Sequence, residues 1–427
     1  AMMTIKPRRI AIVLRNLIPL FLVLLCLLTA RTSHAQALTD TAFNAQRMTQ
    51  LVQQLSPSPL KDKLAACLNR PPNKSQFSIA HRGAPLRYAE HTRESYLAAA
   101  SQGAGIVECD VTFTQDRQLV CRHSQCDLHS TTNILKTPLA SSCRQPFSPA
   151  TESAKASVRC CTSDITAAQF LTLKGRSDSV NPKAATIDEY LQAPEREGGA
   201  RYVENATLMT HRQSIELFRK LGVSMMPELK APQVDMPFGK TSQGEAYTQE
   251  KYAEQMIREY EALGISPDQV FPQSFNMDDI RYWLKAHPTY GAQAIYLDGR
   301  YRGPGRINPM QAASFKPSMQ SLADDGLRTI APPLWMLLTT KGNDIVPSEY
   351  TRAAQQAGLR IVTWTLERSG DLGSGGGWYY QSVRPQISSM ADMFRVLDVL
   401  AQAVNVDGVF SDWPATTTFY ANCMGLK

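Results

Sequence analysis

Outside its first 35 residues the sequence has no run of Lys and Arg and no basic stripe interleaved with aromatics, so it carries no nucleic-acid footprint. Five of the formal +7 charges, Lys6, Arg8, Arg9, Arg15 and Arg31, fall in residues 1–35 with no acid among them, leaving +2 for the rest. An apolar run long enough to span a bilayer, about 20 residues, is also missing, because Leu17 to Leu28 falls short. There is no C-x-x-C pair or ordered Cys/His spacing, which argues against a zinc site. No G-x-G-x-x-G follows the first strand-like run, and the glycine-rich stretch Gly373 to Gly377 is not followed by Lys-Ser/Thr. The usual nucleotide site of a doubly wound sheet and the phosphate loop are therefore both absent, and Gly373 to Gly377 reads as a mobile loop near a pocket.

What is present begins with basic residues, a short apolar run and Ser33-His34-Ala35, which together read as a signal peptide cut near Gln36. An uncleaved anchor is the alternative; after removal no stable membrane span is expected, and the mature chain is periplasmic or secreted. Eight cysteines remain beyond Cys26, an even number that suits disulfides in an exported chain. At least one bridge is expected among Cys126, Cys143, Cys160 and Cys161. Met48, Leu51, Val52 and Leu55 recur at helical spacing, so residues 36–72 read as a helical extension packed outside a main domain over 73–427.

The main domain alternates strands and helices, which predicts a parallel sheet with helices outside, and its length suits a (β/α)8 TIM barrel. An open doubly wound sheet is the fold alternative. Nine strand candidates compete for eight places, and 328–331 is read as the surplus one. A Ser-, Thr- and Cys-rich insertion, about 126–186, follows the strand leading to His123 and is expected to cap the face where catalytic groups emerge.

Residues 77–133 hold the densest chemistry. Glu108 and Asp110 alternate along one strand and share a face, with no Lys or Arg between them; such a pair is either solvated or held together by a hard cation, Mg²⁺ or Ca²⁺. His81 and His123 each close a short apolar run, which tips the balance toward a site. Much later, Glu228 and Lys230 alternate in the same way.

The series His81-Arg82-Gly83-Ala84, Ala89-Glu90-His91-Thr92, Gly103-Ala104 with Glu108 and Asp110-Val111, and Leu119-Val120 with His123 resembles the glycerophosphodiester phosphodiesterase family. Pro227-Glu228-Leu229-Lys230, Gln273-Ser274-Phe275, Trp364-Thr365 and Asp407 to Pro414 extend the resemblance to about residue 415. Ala89 stands where the family usually has proline, and Ser124 where an aspartate usually follows the second histidine. The resemblance implies metal-dependent hydrolysis of a small-molecule glycerophosphodiester to sn-glycerol 3-phosphate and an alcohol. In that reading Glu108, Asp110 and Glu228 hold one divalent cation, and His81 and His123 are general base and acid, in either order. Arg82, Lys230, Gln273 and Trp364 contact substrate, and Glu90 supports the site. Water or the neighbouring glycerol hydroxyl is the nucleophile. The rival readings are a phospholipase D-like hydrolase of lysolipids or sphingolipids and a non-catalytic phosphodiester-binding barrel. His91, His129, His211 and His287 receive no role, and Trp283, Trp335, Trp378 and Trp413 are read as packing residues. Oligomeric state is left open.

Overall fold

The computed structural model describes residues 40–192 and 205–427. The expected signal peptide over 1–35 lies outside them, as do residues 36–39 of the expected extension. Eight parallel strands close a barrel: β1 (Ser75–Ala80), β2 (Ala104–Phe113), β3 (Ser224–Leu229), β4 (Gln273–Ser274), β5 (Ile295–Leu297), β6 (Thr329–Ala331), β7 (Arg360–Thr363) and β8 (Gly408–Ser411). Neighbours pair in chain order, and β1 joins both β2 and β8. One helix follows each strand on the outside: α1 (Arg93–Ser101), α2 (His211–Leu221), α3 (Gln249–Ala262), α4 (Met277–Ala286), α5 (Met319–Asp324), α6 (Glu349–Gln356), α7 (Asp392–Val399) and α8 (Ala415–Met424). This is the expected (β/α)8 barrel.

The strand count needs a correction. Residues 329–331 form β6, paired to β5 and β7. The surplus strand is Leu119–Cys121, which runs antiparallel to β2, with Cys121 opposite Val111 and Leu119 opposite Phe113. A tight turn after Phe113 sends it back down over the barrel mouth, so His123 arrives from above. Apolar patterning alone does not distinguish such a return strand from a barrel strand.

Period-two alternation sorts the side chains. Ile79, Ile106, Met226, Ile295, Leu297, Ala331, Val362 and Phe410 fill the lumen. Val107, Cys109, Val111 and Met225 point outward into the larger core beneath the helices. Two residues on from Ile106 the inward face offers Glu108, then Asp110; from Met226 it offers Glu228, and from Ile79 it reaches His81. The lumen is thus apolar below and ionisable at the mouth.

All eight cysteines beyond Cys26 are paired: Cys67–Cys423, Cys109–Cys121, Cys126–Cys161 and Cys143–Cys160. Two of these bridges staple the insertion, whose own core includes Leu128, Ile134, Phe170 and Tyr190. The helical residues 40–54 bury Met48, Leu51 and Val52 in the same core as the barrel helices. Among the described residues no helix is long and apolar enough to cross a membrane.

Candidate active site

At the mouth, Asp110 lies opposite Glu228 in the β2–β3 register, and Glu228 lies opposite Gln273. Carboxylate oxygens of Glu108, Asp110 and Glu228 come within 4.8 Å of one another. Burial and the adjacent acids push Glu108 well above the usual carboxylate range. Burial lifts Glu228 to about 7 despite Lys230, whose Nζ is 2.7 Å away. Burial also acts to raise Asp110, but His91 and Lys230 outweigh it and hold that acid well below its ordinary value. Three buried carboxylates this close repel strongly unless a cation shares them. Asp110 Oδ1 is buried with no hydrogen-bond partner. An orphan acceptor facing two more hard oxygen donors fits a hard divalent ion such as Mg²⁺ or Ca²⁺.

Behind the acids is a shell that sequence patterning missed. His91 is wholly buried, with Nε2 2.8 Å from Asp110 Oδ2 and Nδ1 2.8 Å from the Tyr96 hydroxyl. An ionised carboxylate only accepts, so Nε2 carries the proton and Tyr96 donates to Nδ1. Burial, outweighing Asp110, lowers the pKa of His91 and keeps the ring neutral. Asp110 is thereby oriented through one oxygen while the other is left open. Gln273 differs from the substrate-binding expectation: fully buried, its Nε2 donates to Glu108 Oε1 at 2.8 Å, so it steadies an acid. Arg82 has φ of 59° and His91 of 53°, left-handed values that are uncommon for residues with side chains. At Arg82 this conformation lets the backbone N–H donate to Glu108 Oε2 at 2.9 Å. The following Gly83, at φ +95°, sits where any Cβ would strike Ser95.

His81 and His123 both line the cavity, together with Arg82, Glu108, Glu228 and Lys230. His81 Nδ1 is 2.5 Å from Asp412 Oδ1. Burial outweighs that acid and lowers His81 to about 4, so it is neutral near pH 7. Nδ1–H then donates to Asp412 and leaves the Nε2 lone pair unprotonated. Burial together with Arg82 and Lys230 depresses His123 well below its usual value. Arg368 holds Asp412 through Nε at 3.0 Å and reaches Asp178 of the insertion at 3.3 Å. Arg82 pairs with Glu90 at 3.0 Å; burial works against Glu90, but Arg82 and Arg368 bring it down to about 2. The Ser124 hydroxyl donates to Gln233 Oε1 at 2.9 Å, and its backbone N–H donates to Asp127.

The opposite wall of this cavity of about 620 Å³ is aromatic: Phe275, Tyr301, Trp364, Trp378 and Tyr379. Trp364 donates its Nε1–H to Ala331 O, so it presents only ring to the cavity. Trp378 corrects the packing expectation, being 42% exposed and part of the cavity lining, whereas Trp283 and Trp413 are fully buried. The glycine-rich stretch before Trp378 is a packed turn: a Cβ on Gly376 would lie 2.5 Å from Tyr380 Cβ. The other histidines without a role pair within the scaffold, His211 with Glu259 and Tyr260 and His287 with Glu261, while His129 accepts from the Cys160 amide.

Residues 81–416 match the glycerophosphoryl diester phosphodiesterase family. An Arthroderma benhamiae protein named "Extracellular protein" is 44% identical over 255 residues, covering 58% of this chain and all of that protein. A Mycobacterium tuberculosis protein named "Probable glycerophosphodiester phosphodiesterase 1" is 49% identical over 49 residues, 12% of this chain and 18% of that protein. A crystal structure from Silicibacter pomeroyi carrying the same family designation superposes with a TM-score of 0.53 at 16% identity. It covers 86% of this chain and 98% of its own, and shows the fold.

Proposed function

The chain belongs to the glycerophosphoryl diester phosphodiesterase family and is an enzyme of that class, and on that premise we propose that it hydrolyses glycerophosphodiesters to sn-glycerol 3-phosphate and an alcohol. The observation that carries this reading is the cluster of three buried acids at the barrel mouth, two of which, Glu108 and Glu228, line one cavity with two histidines and two cations.

Glu108, Asp110 and Glu228 would hold one divalent ion, Mg²⁺ or Ca²⁺, which when bound polarises a phosphoryl oxygen and offsets charge developing there. Arg82 and Lys230 bind the remaining phosphate oxygens, the first with a planar fork and the second as a point charge. Glu90 anchors the Arg82 fork and supports the site. His81, neutral and fixed through Nδ1 by Asp412, takes the proton of the attacking hydroxyl at Nε2 and is the general base. His123, brought over the mouth by the return strand, is the general acid: burial with Arg82 and Lys230 keeps it neutral in the free site, so it takes up its proton when the phosphodiester anion binds beside it and then passes that proton to the leaving alcohol. Trp364 packs against one arm of the diester. The same residues serve whether the attacking group is water or the neighbouring glycerol hydroxyl.

Four disulfides and a relative named "Extracellular protein" are consistent with secretion. We further propose that residues 1–35 are a cleaved signal peptide, that 36–72 form the helical extension, and that 73–427 are one domain with the insertion over its mouth.

The test is release of sn-glycerol 3-phosphate from glycerophosphocholine and glycerophosphoethanolamine, with and without chelator. Chelator-sensitive release is expected; none from either diester by folded, metal-supplied protein would refute the reading.

A further inference from the structure

The cavity has two unlike sides. Around the acids and phosphate-binding cations the lining is polar, with Ser124 and Gln233 from the segments beside the insertion. The other side is built from segments after three different strands: Phe275 after β4, Tyr301 after β5, and Trp364, Trp378 and Tyr379 between β7 and α7. A glycerophosphodiester likewise has two unlike arms, a glycerol with free hydroxyls and an alcohol that varies. The inference concerns the varying arm and rests on the diesterase reading.

Trp378 is the hub of the aromatic side. Its ring lies 27° from parallel to Trp364 with centroids 6.1 Å apart, and nearly perpendicular to Tyr379 at 4.9 Å and 88°. Tyr379 is in turn 76° from Trp364, so the three rings form a corner with faces in two directions. Trp335 and Tyr301 buttress Trp378 at 5.8 and 5.2 Å. No carboxylate lines this side among the described residues, and the indole nitrogen of Trp364 is already engaged. A polyol would lose hydrogen bonds to water here without replacement. A primary ammonium, with three N–H groups to satisfy, would fare little better. A quaternary ammonium has no N–H, presents methyl groups, and is attracted by the negative faces of aromatic rings. An acyl chain would suit the rings, but the cavity, about 620 Å³, must also hold the glycerophosphate.

The rim shows that these faces attract cations. The exposed Arg302 guanidinium carbon lies 5.1 Å from the centroid of Tyr301 and 5.3 Å from that of Phe275. Lys230 Nζ is 6.0 Å from Phe275. Both charges oppose a second cation next to them, so the seat is the corner of Trp364, Trp378 and Tyr379 rather than Phe275, whose ring meets Trp364 edge to face at 6.1 Å.

We propose that Trp364, Trp378 and Tyr379 form a head-group subsite for a trimethylammonium alcohol, making glycerophosphocholine-type diesters the preferred substrates.

The test compares kcat/KM for glycerophosphocholine, glycerophosphoethanolamine, glycerophosphoglycerol and the neutral isostere in which 3,3-dimethylbutanol replaces choline. The wild-type protein is expected to prefer the choline diester over the isostere by roughly 3- to 30-fold. Trp378→Phe should keep most of that preference, and Trp378→Leu, still apolar, should lose it. Equal rates with choline and isostere, an undiminished choline preference in Trp378→Leu, or preference for the polyol diester would overturn the subsite. Quenching of tryptophan fluorescence by choline and by 3,3-dimethylbutanol reads binding without turnover. Selective quenching by choline with no hydrolysis of any diester would sustain the subsite and defeat the diesterase reading; no selectivity and no hydrolysis would defeat both.

Discussion

Asp110 must be ionised, buried and correctly aimed, and its neighbours divide that work. His91 donates to Oδ2, and Tyr96 fixes the ring of His91 from behind. Groups that orient a metal ligand typically contribute 10- to 100-fold to affinity. His91→Ala should therefore weaken divalent-cation binding by about 10- to 100-fold, measured by titration calorimetry, and His91→Asn, which retains a donor, should lose less. Binding should also depend on pH in a defined direction. Glu228 is held up to about 7 by burial, so below that value the ion must displace a proton. Apparent affinity should fall as pH drops from 8 to 6, with proton release that varies with buffer ionisation heat. A pH-independent affinity would contradict the raised carboxyl. At the base, Asp412→Asn removes the charge that sets the His81 tautomer, and kcat should fall about 100-fold or more, by analogy with other carboxylate-oriented histidines. Strand alternation put Glu108 and Asp110 on one face, the family resemblance added Glu228 to them, and the barrel brings the three carboxylates together. His91, Arg368 and the redirection of Gln273 were not legible, since their roles depend on which distant side chain the closed barrel brings beside them.

Among the elements, the return strand Leu119–Cys121 departs most from the simple barrel. It carries His123 two residues past Cys121, and Cys121 is bridged to Cys109, which lies between Glu108 and Asp110 on the opposite face of β2. The bridge ties the segment bearing one histidine to the strand bearing two acids. The double variant Cys109→Ala, Cys121→Ala should fold with stability lowered by about 2–4 kcal/mol in denaturant titration. Its kcat should fall more than its KM rises, because the segment behind His123 loses its anchor. Helix limits, by contrast, are set by local residues. The helix His211–Leu221 begins with a capping box between Thr210 and Gln213 and stops at Gly222, whose φ of 64° suits glycine. The surplus strand was misassigned because direction of pairing is a tertiary property, and three apolar residues look alike in either sense.

Across the whole molecule, a disulfide ties the segment before β1 to the helix after β8. Cys67 precedes β1 and Cys423 ends α8, and their bridge joins residues 356 positions apart. Around it, Trp413 donates to Asn44 at 2.7 Å, and Arg47 donates to Thr416 at 2.6 Å. Cys67→Ser should lower unfolding stability by about 2–5 kcal/mol while leaving the folded enzyme active. The recurrent strand and helix pattern made the barrel readable at this scale, and the even cysteine count made the bridges expected. The pairing was not readable, because it depends on how the insertion folds and on the contact between the two chain ends.

The proposed role of Glu108, Asp110 and Glu228 on neighbouring strands is to hold one catalytic ion. It is tested most directly by stripping the protein with chelator, titrating Mg²⁺ or Ca²⁺ back, and following sn-glycerol 3-phosphate release beside Asp110→Asn. Activity should return at one ion per chain in the wild-type protein and stay at least about 100-fold lower in the variant. Full activity in the stripped protein, or unchanged recovery in Asp110→Asn, would contradict the account.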